Sequence, residues 1–278
     1  MNATASFIAD MVRPEDRVWL AGLPVDVIRQ TEIIALLEAA VMNARPTVLA
    51  NLNLHGLYAA LTTPVMGDLL RNPETIVHID GTPIMWMARL LGQSVPPDAR
   101  AGHIDLIPKM LRRCAERGWP VAIVGGRPED ASMNKRALAS LAPGLHVASF
   151  HGYFDMADTR PGAPQVSTVE AIKALRPALL LVGMGMPRQE AWIAAHHQTL
   201  GVPVVMPVGG FADYFAGRTR TAPRVLGPLG LEWLFRLIHD PRRLAFRYLV
   251  EPFLLAGLLV RATAQGARWG RHAGSVKK

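Results

Sequence analysis

One cysteine in 278 residues leaves no intrachain disulfide to form. That residue, Cys114, lies in the amphipathic stretch from Leu111 to Glu116, where a thiol reads as core filling and not as a nucleophile. No secretory pattern of charged then apolar residues opens the chain, because Asp10, Glu15 and Asp16 interrupt any apolar run there. Cytoplasmic synthesis and retention are therefore expected. Towards the C-terminus the longest apolar stretch, 248 to 260, contains Glu251 and Pro252 and falls short of the ~20 residues that span a bilayer. Also missing are a Gly-x-Gly-x-x-Gly fingerprint and Walker A spacing, an Asp-x-Asp pair, and Cys and His at metal-ligand spacing. These absences argue against a dinucleotide-dependent dehydrogenase and lead us to expect no metal or other cofactor. Any diphosphate ligand then needs cationic side chains as its counter-charge.

The net charge of +8 is unevenly placed. From Arg218 onwards twelve Arg and Lys face three acids, so this segment carries +9 and the remainder −1. A near-neutral body with a basic C-terminal segment predicts an anionic partner such as phosphate groups or an anionic lipid surface. No nucleic-acid partner is expected, since the arginines are mixed with Leu and Phe and form no recognised binding module.

Half the residues are hydrophobic, which excludes a disordered chain. Strands are predicted at 18 to 26 (with a turn), 47 to 50, 75 to 79, 121 to 124, 147 to 150, 178 to 183 and 204 to 208. Helices are predicted at 28 to 43, 54 to 70, 106 to 117, 130 to 141 and 188 to 199. The alternation predicts an α/β fold, Rossmann-like, with a mostly parallel sheet flanked by helices. Beyond Gly217 the texture changes to Arg-rich helices broken by Pro223, Pro228, Pro241 and Pro252. We expect a catalytic core over 1–217 and a basic helical appendage over 218–278 that associates with the membrane. In that appendage Phe253, Leu254, Leu255, Leu258 and Leu259, flanked by Arg242, Arg243, Arg247 and Arg261, suit a helix lying in the interface.

Ligands of parallel sheets bind at the carboxyl ends of the strands. Asp80 closes the apolar strand 76 to 79 and precedes Gly81, a position suited to a general base and equally to an acid that bonds turn amides. Asn51 and Asn53 alternate at a strand end, on one side of it, and suit sugar hydroxyls. Gly125-Gly126-Arg127 permits close approach of a phosphate, and His151 and Tyr153 follow another strand where substrate contact or a structural role is open. On a single idealised helix Arg236, Arg243 and Arg247 share one face, from which guanidinium groups can grip phosphate; a solvated or lipid-facing basic stripe is the alternative.

An ordered set of motifs carries a resemblance. Asn51-Leu-Asn53, Ile79-Asp80-Gly81, Gly125-Gly126, His151-Gly-Tyr153-Phe154, Val182-Gly-Met-Gly-Met-Pro187-Arg-Gln189-Glu190, Val208-Gly-Gly-Phe211, Gly230-Leu-Glu-Trp233-Leu-Phe-Arg236 and Pro241-Arg-Arg243 with Arg247-Tyr248 follow one another along the chain. From about 18 to 255 the sequence resembles the WecG/TagA/CpsF proteins, glycosyltransferase family 26. The resemblance implies an inverting, metal-independent transfer from a UDP-sugar to a polyprenyl-diphosphate-linked sugar, at the cytoplasmic face of the inner membrane and in peripheral association with it. It implies Asp80 as base, Asn51, Asn53 and Gln189 as positioning residues for sugars, and Arg236, Arg243 and Arg247 as ligands of the donor diphosphate. A hexose or N-acetylhexosamine and an exopolysaccharide or other cell-surface polysaccharide are expected. A tail that detaches from the site would allow homo-oligomers.

Three positions depart from the usual pattern. Asn51-Leu52-Asn53 stands where many members carry Thr-Pro-Asn, Gly102-His-Ile-Asp105 reads as one residue longer than Gly-x-Asp, and Phe246 stands where a second arginine is frequent. The alternative classes are a soluble nucleotide-binding α/β enzyme and a basic nucleic-acid binder.

Overall fold

The computed structural model describes residues 11–223, 226 and 230–271. Asp10 and, in the basic segment, Arg224, Pro228, Lys277 and Lys278 lie outside them. The described strands are β1 (Arg17–Leu20), β2 (Leu23–Asp26), β3 (Thr47–Leu52), β4 (Thr75–Ile79), β5 (Val121–Gly125), β6 (Val147–Phe150), β7 (Leu179–Gly183), β8 (Val204–Pro207) and β9 (Gly270–Arg271). They form one sheet in the order β6-β5-β7-β8-β3-β4-β2-β1-β9. Neighbours from β6 to β2 run parallel, and β1 runs antiparallel to both β2 and β9.

A parallel sheet must be covered on both faces, so its strands are apolar throughout and not alternating. Accordingly β3, β4 and β5 are buried along their whole length. The helices that cover them are α1 (Gln30–Met42), α2 (Leu54–Thr62), α3 (Pro64–Arg71), α4 (Thr82–Leu90), α5 (His103–Glu116), α6 (Ala131–Leu141), α7 (Pro164–Leu175), α8 (Arg188–Leu200) and α9 (Phe211–Phe215). On one face α1, α5, α6 and α9 bury Leu36, Leu37, Met110, Leu138 and Phe211 against the sheet. On the other, α2, α3, α4, α7 and α8 bury Leu57, Met66, Ile84, Ile172 and Trp192. The expected single helix over 54 to 70 is two, because Pro64 forces Thr63 into an extended conformation (φ −125°, ψ 105°).

The C-terminal segment follows as α10 (Glu232–His239), α11 (Pro241–Ala245), a π-helical turn (Phe246–Val250) and α12 (Glu251–Ala264). Pro241 again acts on its predecessor, and Asp240 (φ −143°, ψ 63°) separates α10 from α11. This break corrects the single-helix placement of Arg236, Arg243 and Arg247 on one face. Helix α12 packs on α2: Leu255 is 2 % exposed and belongs to the core, and His55 Nδ1 meets both carboxylate oxygens of buried Glu251 at 2.9 Å. Leu255 and Leu259 therefore face protein, while Phe253 and Leu254 face outwards. No described helix is long and apolar enough to cross a membrane.

Candidate active site

Two cavities open at the carboxyl ends of the parallel strands. The smaller, of 330 Å³, has Asp80 at its base and is lined by Asn53, His55, Trp86, Arg100, Trp233, Arg236, Arg247 and Tyr248 among others. The larger, of 1020 Å³, spreads over the ends of β5, β7 and β8 and includes Gly125, Gly126, Tyr153, Arg188, Arg218 and Arg243. Strand β5 leads outwards to β6 and β7 leads the opposite way to β8, so the larger cleft sits where the strand order reverses.

Asp80 leaves the sheet directly after β4, its N–H bonded to the Leu52 carbonyl at 3.0 Å. Its Oδ2 accepts from Asn53 Nδ2 at 2.9 Å and from Asn51 Nδ2 at 3.2 Å. The Asn53 amide has no freedom to turn. As N-cap of α2 its Oδ1 accepts from the Gly56 N–H at 3.0 Å, so its nitrogen is left for Asp80. Gly81 suits the same contact, since a Cβ there would stand 3.1 Å from the Asn53 Cβ and Asn53 would have to give way. Among the described residues Asp80 Oδ1 takes no hydrogen bond, and it faces Gly102 at the start of α5.

Two histidines that the sequence reading passed over stand behind the carboxylate. His78, fully buried on β4, lies 6.0 Å ring to ring from His103, the first residue of α5. Burial pushes His78 down to about 3, with His103 adding to the shift and Asp80 opposing it. His103 is lowered by burial too, against Asp80 and a hydrogen bond to the Val208 backbone. Burial pushes the Asp80 carboxyl up, but His103, the Asn53 amide, His78 and Arg236 together outweigh it and hold Asp80 below the ordinary carboxylate range.

Arg236 and Arg247 reach the small cavity from α10 and the π-helical turn. The Arg236 guanidinium lies 5.5 Å from the Tyr214 ring centre, and its buried Nε has no partner among the described residues. Burial opposes its charge, yet Tyr214, Tyr248, Asp80 and Glu232 keep its pKa above the ordinary value. For Arg247 burial wins and, with the Arg236 charge beside it, lowers the pKa. Arg243 is elsewhere: it lines the large cleft, and its Nε donates to Asp240 at 2.5 Å.

The large cleft has a floor of glycines, because neighbouring strand ends approach backbone to backbone. A Cβ on Gly125 would lie 2.3 Å from the Gly183 carbonyl oxygen, and one on Gly183 would lie 2.7 Å from that of Gly209. Gln189 is 1 % exposed and lines neither cavity. Its Oε1 accepts from the N–H groups of Gly185 at 3.2 Å and Gly209 at 3.0 Å, so it pins the loops after β7 and β8. Tyr153 is 67 % exposed on the cleft, while His151 lines neither cavity and sits 6.0 Å from the Phe154 ring. Arg188 donates to the carbonyls of Gly152 and Phe154 and fixes that loop. Arg218, just past the expected domain boundary, is tied to the core by Asp130 at 2.8 Å, Asp213 at 2.5 Å and Asn134 at 3.0 Å.

Two curated relatives, from Staphylococcus aureus strains MW2 and NCTC 8325 / PS 47, are each N-acetylglucosaminyldiphosphoundecaprenol N-acetyl-beta-D-mannosaminyltransferases. Each is 28 % identical over 204 residues, covering 73 % of this chain and 73 % of the relative. The family profile described as Glycosyl transferase WecG/TagA/CpsF family matches residues 18–268. The chain belongs to this family and is a glycosyltransferase.

Proposed function

We propose that the enzyme transfers a hexose or N-acetylhexosamine, with inversion, from a UDP-sugar to a sugar carried on polyprenyl diphosphate. The observation that carries this reading is the state of Asp80, which lines a cavity with two arginines and whose Oδ2 is bound by two amides while Oδ1 takes no hydrogen bond among the described residues. Oδ1 takes the proton of the acceptor hydroxyl as that oxygen attacks the anomeric carbon. The bond from that carbon to the donor diphosphate breaks, and the nucleoside diphosphate leaves with the electron pair. The nucleotide occupies the large cleft, over Gly125 and Gly126 and beside Tyr153 and Arg243. Asn51 and Asn53 aim the base, and Gln189 holds the loops under the donor. His151 supports the wall that carries Tyr153. The relatives' names support N-acetylmannosamine as donor sugar and N-acetylglucosamine as acceptor sugar.

An acceptor on a prenyl chain requires the enzyme at the membrane surface. Phe246, Leu249, Phe253 and Leu254 are exposed on the C-terminal helices, with Arg242, Arg243 and Arg261 close by in sequence. This suits peripheral binding to an anionic leaflet.

A panel of UDP-sugars with prenyl-diphosphate N-acetylglucosamine as acceptor tests the reaction. Transfer from UDP-N-acetylmannosamine is expected, with inverted configuration in the product. Absence of transfer from every donor would refute the reading.

A further inference from the structure

On the reaction proposed above, we infer that Arg236 and Arg247 bind the diphosphate of the lipid-linked acceptor and not that of the donor, and that Trp86, Trp233 and Tyr248 receive the prenyl carbons next to it. This departs from the donor role that the family resemblance implies for both arginines.

Position is the first argument. In an inverting displacement the base and the leaving group lie on opposite sides of the anomeric carbon. Arg236 and Arg247 share a cavity with Asp80, and so stand on the side where the acceptor hydroxyl arrives. Arg243 lines the other cleft, where the glycine floor offers space for a nucleotide.

Charge is the second. Among the described residues neither Arg236 nor Arg247 has an acid within ion-pair distance, whereas Arg218 and Arg243 are already held by Asp213 and Asp240. The acids that act on them electrostatically are Asp80 and Glu232 for Arg236 and Glu251 and Asp80 for Arg247. Glu232 and Glu251 are themselves engaged, by Arg100 at 3.6 Å and by His55 at 2.9 Å, and Asp80 is held by the Asn51 and Asn53 amides. Two mostly buried guanidinium groups close enough to repel one another leave a place for an anion of more than one charge.

The third is the chemistry of the cavity mouth. Trp86 is 52 % exposed and Trp233 41 %, and the Trp233 ring meets Tyr248 edge-on at 5.9 Å. A sugar nucleotide offers such a surface only the C–H faces of its sugars and its base, and no hydrocarbon chain. The acceptor joins its diphosphate directly to one, so cations beside exposed aromatic rings match it in both chemistry and order.

Direct binding tests the assignment without relying on turnover. Calorimetry with UDP and, separately, with geranylgeranyl diphosphate is run on the full chain, on Arg236→Gln, on Arg247→Gln and on the charge-keeping Arg236→Lys. We expect each Gln variant to lose at least ~10-fold in prenyl diphosphate affinity while UDP affinity moves by less than ~2-fold, with Arg236→Lys in between. Trp86→Ala should weaken geranylgeranyl diphosphate more than isopentenyl diphosphate. A ~10-fold loss for UDP in the Gln variants, or unchanged prenyl diphosphate affinity, would overturn the inference. Failure of every donor in the transfer assay would instead refute the reaction, so the two failures are distinguishable.

Discussion

Asp80 owes its aim to residues that look unrelated in sequence. The helix cap fixes Asn53, Asn53 fixes Oδ2, and two histidines close the space behind. Burying His78 has a consequence for stability that can be measured. Its folded pKa is about 3, well below the ~6.5 of an unfolded chain. The unfolded state therefore binds more protons between these values, so stability is full above pH ~6.5 and falls as the pH drops towards 3. Unfolding in urea at pH 7 and pH 5 should show a loss that His78→Gln reduces; an unchanged slope in the variant would count against the buried neutral imidazole. Asp80 has the same protonation preference in a more acidic window: its pKa is depressed, so its contribution is present above the ordinary carboxylate range and is lost as the pH falls through the lowered value. Asp80 was legible because an acid closing an apolar run is conspicuous. His78 was not, since one histidine inside an apolar strand carries no local mark of what it faces across the sheet.

At the scale of elements, periodicity found each parallel strand, because runs buried on both faces are unambiguous when helices separate them. It merged α2 with α3 and missed α4, α7 and the short α9. Thr63-Pro64 marks the first error in plain sight, and Asp240-Pro241 marks the same physics in the C-terminal segment, where one wheel for Arg236, Arg243 and Arg247 could not survive the break. The glycines at strand ends were visible as candidates for ligand approach, but the structure gives them a packing duty as well. Gly125→Ala puts a methyl group against the Gly183 carbonyl, and the backbone must move to admit it. A destabilisation of about 1–3 kcal/mol is expected in urea unfolding; wild-type stability would show that the three strand ends are not in such close contact.

For the whole molecule, the sheet supplies a floor and the C-terminal helices supply both a wall and an outer apolar face. Composition identified the basic segment, but could not tell which of its arginines turn inwards, because that depends on α12 docking through Leu255 and the His55–Glu251 contact. Phe253 is 78 % exposed, so Phe253→Asp should leave thermal unfolding unchanged while weakening sedimentation with anionic vesicles, in line with about 1.5–3 kcal/mol for burying such a side chain. Vesicle binding equal to wild type would remove this face from the membrane contact.

All of this converges on one carboxylate. The most direct measurement is single-turnover transfer from UDP-N-acetylmannosamine to prenyl-diphosphate N-acetylglucosamine by wild type and Asp80→Asn, with donor binding followed in parallel. The expected result is a rate lower by ~10² to 10⁴ with donor affinity retained; an Asp80→Asn enzyme that transfers at the wild-type rate would contradict the assignment of Asp80 as the base.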